Sequence, residues 1–372
     1  MTDARATSQL DDREYLQRFQ RKIADRRIPF SGSIALTHRC NLDCLHCYLG
    51  RQRAAAELTA EQWMALLDQA AEAECLELLI TGGEPMIRPD FCRVYAHARE
   101  RGMLVTVFTN ATRVTDAVLD VMADLPPLLV EVSLYGATPE THDRITRATG
   151  SFVQCLEGVE RLLGRKVRVG LKTILMTANR QEYYGMEALA ARYGVKWRLD
   201  SAIFGCLPGE DGPDRPSPCS LRVSPGEAVE IECSSERRVQ GLRDAHARLR
   251  RRTVSEYLYT CGAGQTTFHV DPQGDLHPCL LTAGYRCSVP KHGFAEAWRR
   301  IGRIRQVKAP PDFECNRCEK QGVCSGCPAV FDLENGEAYQ KSDYICALAG
   351  LRYTRLRAGE ESPVAHEAKT TD

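Results

Sequence analysis

Cys40, Cys44 and Cys47 stand in the stretch THRCNLDCLHCYLG, spaced C-x3-C-x2-C. Clustered thiols in a chain without an export signal read first as ligands of a metal or a cluster. A [4Fe–4S] cluster normally takes one thiolate on each iron, so three thiolates leave one iron for a small molecule with its own donors, such as an amine and a carboxylate. Zinc is the rival. Structural zinc takes four protein ligands, and catalytic zinc takes three and a water. His38 and His46 flank the triad, so zinc stays open, although no nearby residue supplies the usual acid–base partner. Plain buried thiols suit Cys75, Cys92 and Cys155, which sit in apolar, periodic surroundings.

Further along, Cys261 and Cys279 are joined by C-x12-G-x4-C, with Gly274 as the inner glycine. The segment CNRCEKQGVCSGC adds Cys315, Cys318, Cys324 and Cys327, and Cys346 follows after a gap. Alone, two C-x2-C pairs suggest zinc fingers or a rubredoxin-like site. The segment TGGEP (81–85) offers Gly82, Gly83 and Glu84; alone it reads as a turn.

The elements that must position these residues alternate. Strand-like runs at 33–37, 75–80, 104–110, 128–136, 167–176 and 195–200 are separated by helical patterns at 58–74, 89–102, 115–123, 151–163 and 180–193. Thr59 is a fitting N-cap, with Gln62 completing a capping box and Trp63, Leu66, Leu67 and Ala70 forming one stripe. Such β/α repeats predict a parallel sheet covered by helices. Six of them predict an α/β fold, a partial (β/α)6 TIM-like barrel, with its chemistry at the C-terminal strand ends. The triad, TGGEP, TNAT (109–112) and Ser133 all fall at that rim.

Composition is that of a globular protein: 43% hydrophobic, 26% charged, formal net charge +0. That balance gives no reason to expect nucleic acid or a membrane as partner. The polar N-terminus lacks a signal peptide's apolar core, and no apolar run spans a bilayer, so the chain is expected in the cytoplasm. Seventeen cysteines are the unusual feature.

The triad after the first strand, with GGEP after the second, resembles the radical S-adenosylmethionine (SAM) superfamily over residues 34–200. The resemblance implies a SAM-binding [4Fe–4S] cluster on Cys40, Cys44 and Cys47, and cleavage of SAM to a 5′-deoxyadenosyl radical that abstracts hydrogen from a substrate. It implies that Gly82, Gly83 and Glu84 meet the methionyl amine. His46 holds the place of an aromatic near the adenine. Ser133 and Arg147 match segments near the ribose and carboxylate, and Asn110 helps order the rim. The C-terminal cysteines resemble the SPASM extension of peptide- and protein-modifying members, which implies two auxiliary [4Fe–4S] clusters with crossed wiring. Cys261, Cys279 and Cys327 would hold the first; Cys315, Cys318, Cys324 and Cys346 would hold the second. Here the last pair is C-x2-C where the usual pattern is C-x3-C. No cysteine follows Cys261 closely either, as it does in sulfatase-maturing relatives. Cys287 is the candidate fourth ligand of the first auxiliary cluster; otherwise that iron is open.

The expected organisation is an N-terminal helical segment (1–33), a radical SAM core (34–203), a linker and basic helix (204–258), a SPASM domain (259–350) and a tail (351–372). The resemblance implies a maturase that crosslinks, oxidises or epimerises a peptide or protein side chain, with an electron donor such as flavodoxin or ferredoxin. The alternatives are oxidation of a small molecule (a sugar, an aminoglycoside or a haem-type side chain) and a non-catalytic metal scaffold. The residues before the first strand are too few for an independent leader-binding domain. A separate partner protein would then present the peptide, or the barrel would bind it directly. The arginines of 234–258 (Arg237, Arg238, Arg243, Arg248, Arg250, Arg251 and Arg252) fit a solvated helix face, or a dock for an acidic partner.

Overall fold

The computed structural model describes residues 12–49, 56–207, 217–249, 254–282 and 284–360. Strands β1 (Ser31–Ala35), β2 (Glu77–Thr81), β3 (Leu104–Thr109), β4 (Leu129–Ser133), β5 (Val169–Ile174) and β6 (Lys196–Asp200) pair in parallel, each with the next. Helices α1 (Asp12–Asp25), α2 (Ala60–Glu72), α3 (Phe91–Glu100), α4 (Asp116–Asp124), α5 (Pro139–Thr146), α6 (Ser151–Gly164) and α7 (Tyr183–Arg192) accompany them. This is the partial barrel that the β/α alternation predicts.

Strand alternation divides the side chains. Ile34, Ile80, Val105, Val107, Val130, Val132 and Leu171 turn outward into one core with Trp63, Phe91, Tyr95, Met122 and Val159 of the helices. The residues between them face the barrel interior. Thr59 caps α2 in the expected capping box with Gln62.

After β6 the chain forms α8 (Pro225–Glu232), α9 (Glu236–Leu249), β7 (Thr267–Val270), β8 (Asp275–His277), β9 (Cys287–Ser288), α10 (Val289–His292), α11 (Phe294–Ile301), α12 (Pro328–Asn335) and α13 (Asp343–Glu360). Three features differ from expectation. First, the sheet does not stop at six strands. β7 pairs in parallel with β1, and β8 and β9 follow antiparallel, giving the order β6-β5-β4-β3-β2-β1-β7-β8-β9. The C-terminal region therefore completes the barrel sheet. Gly32 permits this: a Cβ there would stand 2.2 Å from the Phe268 ring.

Second, the expected linker carries structure. Ser224 and Glu227 form a capping box on α8, and Val229 packs in a small core with Leu175, Val223 and Leu348. Third, the chain past residue 350 is not a tail from its start. Leu356 is buried and the Arg352 guanidinium is paired with Glu232, so α13 continues to Glu360. In the basic stretch, Arg238 pairs with Glu187 and Arg243 with Glu236. Arg250, Arg251 and Arg252 lie outside the described residues, as do residues 361–372.

Candidate functional site

Beyond β1 the cysteine loop crosses the strand ends, clamped from two sides. On one side Gly83 N donates to Thr37 O (2.7 Å) and Glu84 N to Arg39 O (3.0 Å). The two glycines make this approach possible. A Cβ on Gly82, whose φ is +144°, would stand 2.3 Å from Thr37 O, and one on Gly83 would stand 2.2 Å from Arg39 O. On the other side Asp43 N donates to Thr146 O (3.1 Å) and Leu45 N to Ile145 O (2.9 Å), both at the end of α5. Arg147, the left-handed cap of α5, reaches Asp43 Oδ2 with Nη1 at 3.3 Å. α5 is absent from the sequence-predicted elements, although Thr138 caps it and Pro139 opens it.

Glu84 is placed otherwise than expected. It is fully buried, and its carboxylate accepts from Met86 N (3.1 Å), Thr109 Oγ1 (2.8 Å) and Asn110 N (2.7 Å). Burial pushes its pKa up to about 7, against the pull of those donors. It ties the end of β2 to the end of β3, while Gly82 and Gly83 line the cavity beside it. Asn110 donates from Nδ2 to Asn41 Oδ1 (3.1 Å), which docks the third strand end to the cysteine loop.

One cavity of about 1090 Å³ lies over these strand ends. Cys40, Cys44, Cys47, His46, Asn110, Ser133 and Arg147 all line it. His46 stands edge-on to Tyr135, ring centroids 4.3 Å apart. Tyr135 is a cavity residue that sequence reading passes over, as are Phe108, Lys172 and Arg198. The strand pattern held the only signal for the last three: a polar or aromatic residue at one inward position of each of β3, β5 and β6.

The thiols fit a cationic group. Cys40 Sγ accepts from Leu42 N at 3.4 Å, and its pKa is pushed up to about 11, chiefly by burial and then by the Glu84 carboxylate and the Cys47 thiol. Burial raises Cys44 further, and both neighbouring thiols add to it. Three thiolates will not share this loop without positive charge, which the irons of a cluster would bring. Among the described residues no three His, Cys, Asp or Glu side chains are gathered as ligands of a single metal ion. A cubane distributes its thiolates over separate irons.

The C-terminal thiols separate into two groups. Cys261 and Cys279 lie close enough to raise the Cys327 thiol, which burial and their charge push up to about 11. Cys346, Cys324 and Cys318 do the same to Cys315. The two groups interleave along the chain, Cys327 joining Cys261 and Cys279 from beyond the Cys315–Cys324 segment. Cys287 joins neither group: it lies on β9, buried in the main core, and the charges that feel it are Arg299 and Arg300. The expectation of Cys287 as a fourth ligand is therefore corrected, because strand pairing with Leu276 carries it into the sheet. Cys279, Leu280, Leu281 and Ser325 line the same cavity as the first triad.

Residues 34–187 match the radical SAM superfamily. Mycofactocin maturase MftC of Mycobacterium tuberculosis is 28% identical over 305 residues, 78% of this chain and 76% of that protein. An AdoMet-dependent heme synthase of Methanosarcina barkeri is 25% identical over 335 residues, 83% of this chain and 94% of that one. Among solved structures, SuiB of Streptococcus suis bound to precursor peptide SuiA superposes with a TM-score of 0.68 at 15% identity, over 93% of this chain and 84% of that chain. No helix among the described residues is long and apolar enough to cross a membrane.

Proposed function

We propose, from the premise that residues 34–187 make this chain a radical SAM enzyme, that it is a SPASM-type maturase acting on a peptide or protein side chain. One observation carries the reading: a single cavity of about 1090 Å³ is lined both by Cys40, Cys44 and Cys47 and by Cys279. A substrate in it would lie between a source of radicals and an acceptor of electrons.

In this reading Cys40, Cys44 and Cys47 hold the SAM-binding [4Fe–4S] cluster. Cys261, Cys279 and Cys327 hold one auxiliary cluster, with one iron lacking a cysteine; Cys315, Cys318, Cys324 and Cys346 hold the other. When bound, the cluster and SAM together supply a 5′-deoxyadenosyl radical; the protein supplies placement. His46, Ser133, Asn110 and Arg147 orient SAM from the cavity wall. Gly82 and Gly83 keep the loop backbone close enough for carbonyl contacts. Glu84 works through the loop it holds. The product is a crosslink, an oxidised residue or an epimer. A flavodoxin or ferredoxin supplies electrons in the cytoplasm, and a separate leader-binding protein assists the peptide.

The second reading, oxidation of a haem-type side chain, is favoured by the match to the heme synthase along 94% of that protein. The test is anaerobic. The reconstituted, reduced chain is given SAM, with and without a candidate precursor peptide or an iron porphyrin, and 5′-deoxyadenosine is quantified. Stimulation by peptide supports the first reading and stimulation by porphyrin the second. No product under any condition, with full iron, sinks both. A Cys40/Cys44/Cys47→Ala variant should make none and lose about four of about twelve irons.

A further inference from the structure

Inside the barrel, below the rim, one side chain has unused bonding capacity. Lys172 projects from β5 into the cavity and is largely buried, its side chain 16% exposed. Its Nζ sits 3.1 Å above the centroid of the Phe108 ring. The nearest carboxylate oxygen, Glu131 Oε2, is 3.9 Å away, too far for a hydrogen bond. Among the described residues no acceptor takes any of its protons. Glu131 is shared: Arg198 Nη2 stands 3.0 Å from the same oxygen and also reaches Asp200 at 3.5 Å. Arg198 leans over the same Phe108 ring, 5.6 Å from its centroid. Ser133 lies opposite Lys172 in the strand register.

Lys172 is ion-paired with Glu131 at 3.9 Å and lies over Phe108, but its three N–H donors make no hydrogen bond, and buried donors left unused are costly. The remaining charged neighbours do not supply the acceptor. Asp200 is engaged with Arg198, and Glu84, behind β2, is occupied by its own three donors. Burial, with Arg198 nearby, lowers the lysine pKa to about 7, against the pull of Glu131, Asp200 and Glu84. An arriving anion would restore the charged form.

We propose that Lys172, with Arg198 beside it, forms a subsite for a carboxylate of the substrate. It deepens the function given above, on which it rests, by naming a substrate class: one that brings a carboxylate into the barrel, as a peptide does through a side chain or its C-terminus. The Phe108 face holds the ammonium itself, at 3.1 Å, in the wall of the cavity that the triad also lines.

Trace acetylation of the full, reconstituted chain reads this directly, without a variant. Lys172 acetylation by acetic anhydride is followed by mass spectrometry at neutral pH, with propionate, SAM, decarboxylated SAM, or chloride at matched ionic strength. Propionate should slow modification of Lys172 by up to about tenfold, the effect of a one-unit rise in an amine pKa, and should do so equally with SAM present. Chloride should not. Arg198→Met should weaken the protection. Protection by SAM, with none by decarboxylated SAM, would assign the subsite to the carboxylate of SAM itself and overturn the proposal. Equal protection by chloride, or none by propionate, would also overturn it. Failure of SAM cleavage with intact propionate protection would fell the maturase reading and leave the subsite standing.

Discussion

Two regions of the molecule hold their thiols by different means. The Cys40–Cys47 loop inherits its shape from the sheet. Backbone hydrogen bonds from Gly83 and Glu84 grip one side and the carbonyls of Ile145 and Thr146 grip the other. The thiols of Cys315, Cys318 and Cys324 sit instead on short 3-10 turns whose backbone bonds are local and long, Cys318 N to Cys315 O at 3.3 Å and Cys324 N to Gln321 O at 3.3 Å. A buried cation helps to anchor that region. Arg352 donates to Glu232 on α8, to Val323 O and to Ser325 Oγ. The first site is preformed by the fold. The second depends on an ion pair and, in the reading above, on the cluster it would carry.

Four measurements would break or sharpen that contrast. Gly83→Ala should have the largest effect, because its Cβ would meet Arg39 O at 2.2 Å and neither backbone can yield. The expected outcome is abolition of 5′-deoxyadenosine formation and loss of about four irons, with the C-terminal irons retained. Uniform loss of iron from both ends would show that the two regions are not independently built. Next comes Arg352→Met, which removes a buried guanidinium and leaves the half-buried Glu232 carboxylate without it. It should cost about 3–5 kcal/mol in urea unfolding, with C-terminal iron released before first-triad iron as urea rises.

Acid should act on the barrel side of both regions. His142 and His269 are buried, and burial lowers their pKa from 6.5 to about 4 and about 3. Each stays neutral when folded but takes a proton when unfolded. Stability is therefore full above pH 6.5 and is lost as pH falls toward those lowered values, by up to about 1.4 kcal/mol per unit for each histidine. Urea midpoints at several pH values would show the slope, and His269→Gln should flatten it. The smallest effect belongs to Thr59→Ala. It removes the α2 cap for about 1 kcal/mol by thermal or urea unfolding and should leave both iron populations unchanged.

The parts of this molecule that were legible in the sequence are those where chemistry or capping fixes residue identity. The triad, GGEP and the C-x2-C pairs declared themselves through spacing, and the Thr59–Gln62 box placed α2 within a residue or two. α5 was hidden because Pro139–Thr146 is short and mostly polar, so its periodicity is weak. Its role as the second jaw on the cysteine loop is a tertiary fact. The placement of Glu84 was hidden for a related reason: a carboxylate beside glycines suggests a ligand contact, but two of its three hydrogen-bond donors, Thr109 Oγ1 and Asn110 N, arrive from the end of β3, which the local sequence does not reveal. Lys172 reads as one polar residue in an apolar strand until the sheet curves and sets Phe108, Glu131 and Arg198 around it. Cys287 was plausible by distance along the chain and excluded only by its pairing in β9.

The pairing of β1 with β7 has a consequence for how the chain is born. Ser31 to Ile34 meet Thr267 to Val270, so the first strand made is completed by a strand made much later. While synthesis proceeds β1 has only β2 on one flank, and its other flank is an open row of backbone donors and acceptors, a template for unwanted pairing. A nascent chain arrested after β6 would have the whole cysteine loop yet an unsealed sheet edge. Its solubility should improve abruptly once Phe268 has emerged and covered Gly32. Ribosome release of the C-terminal region thus sets the earliest moment at which the barrel is safe from aggregation.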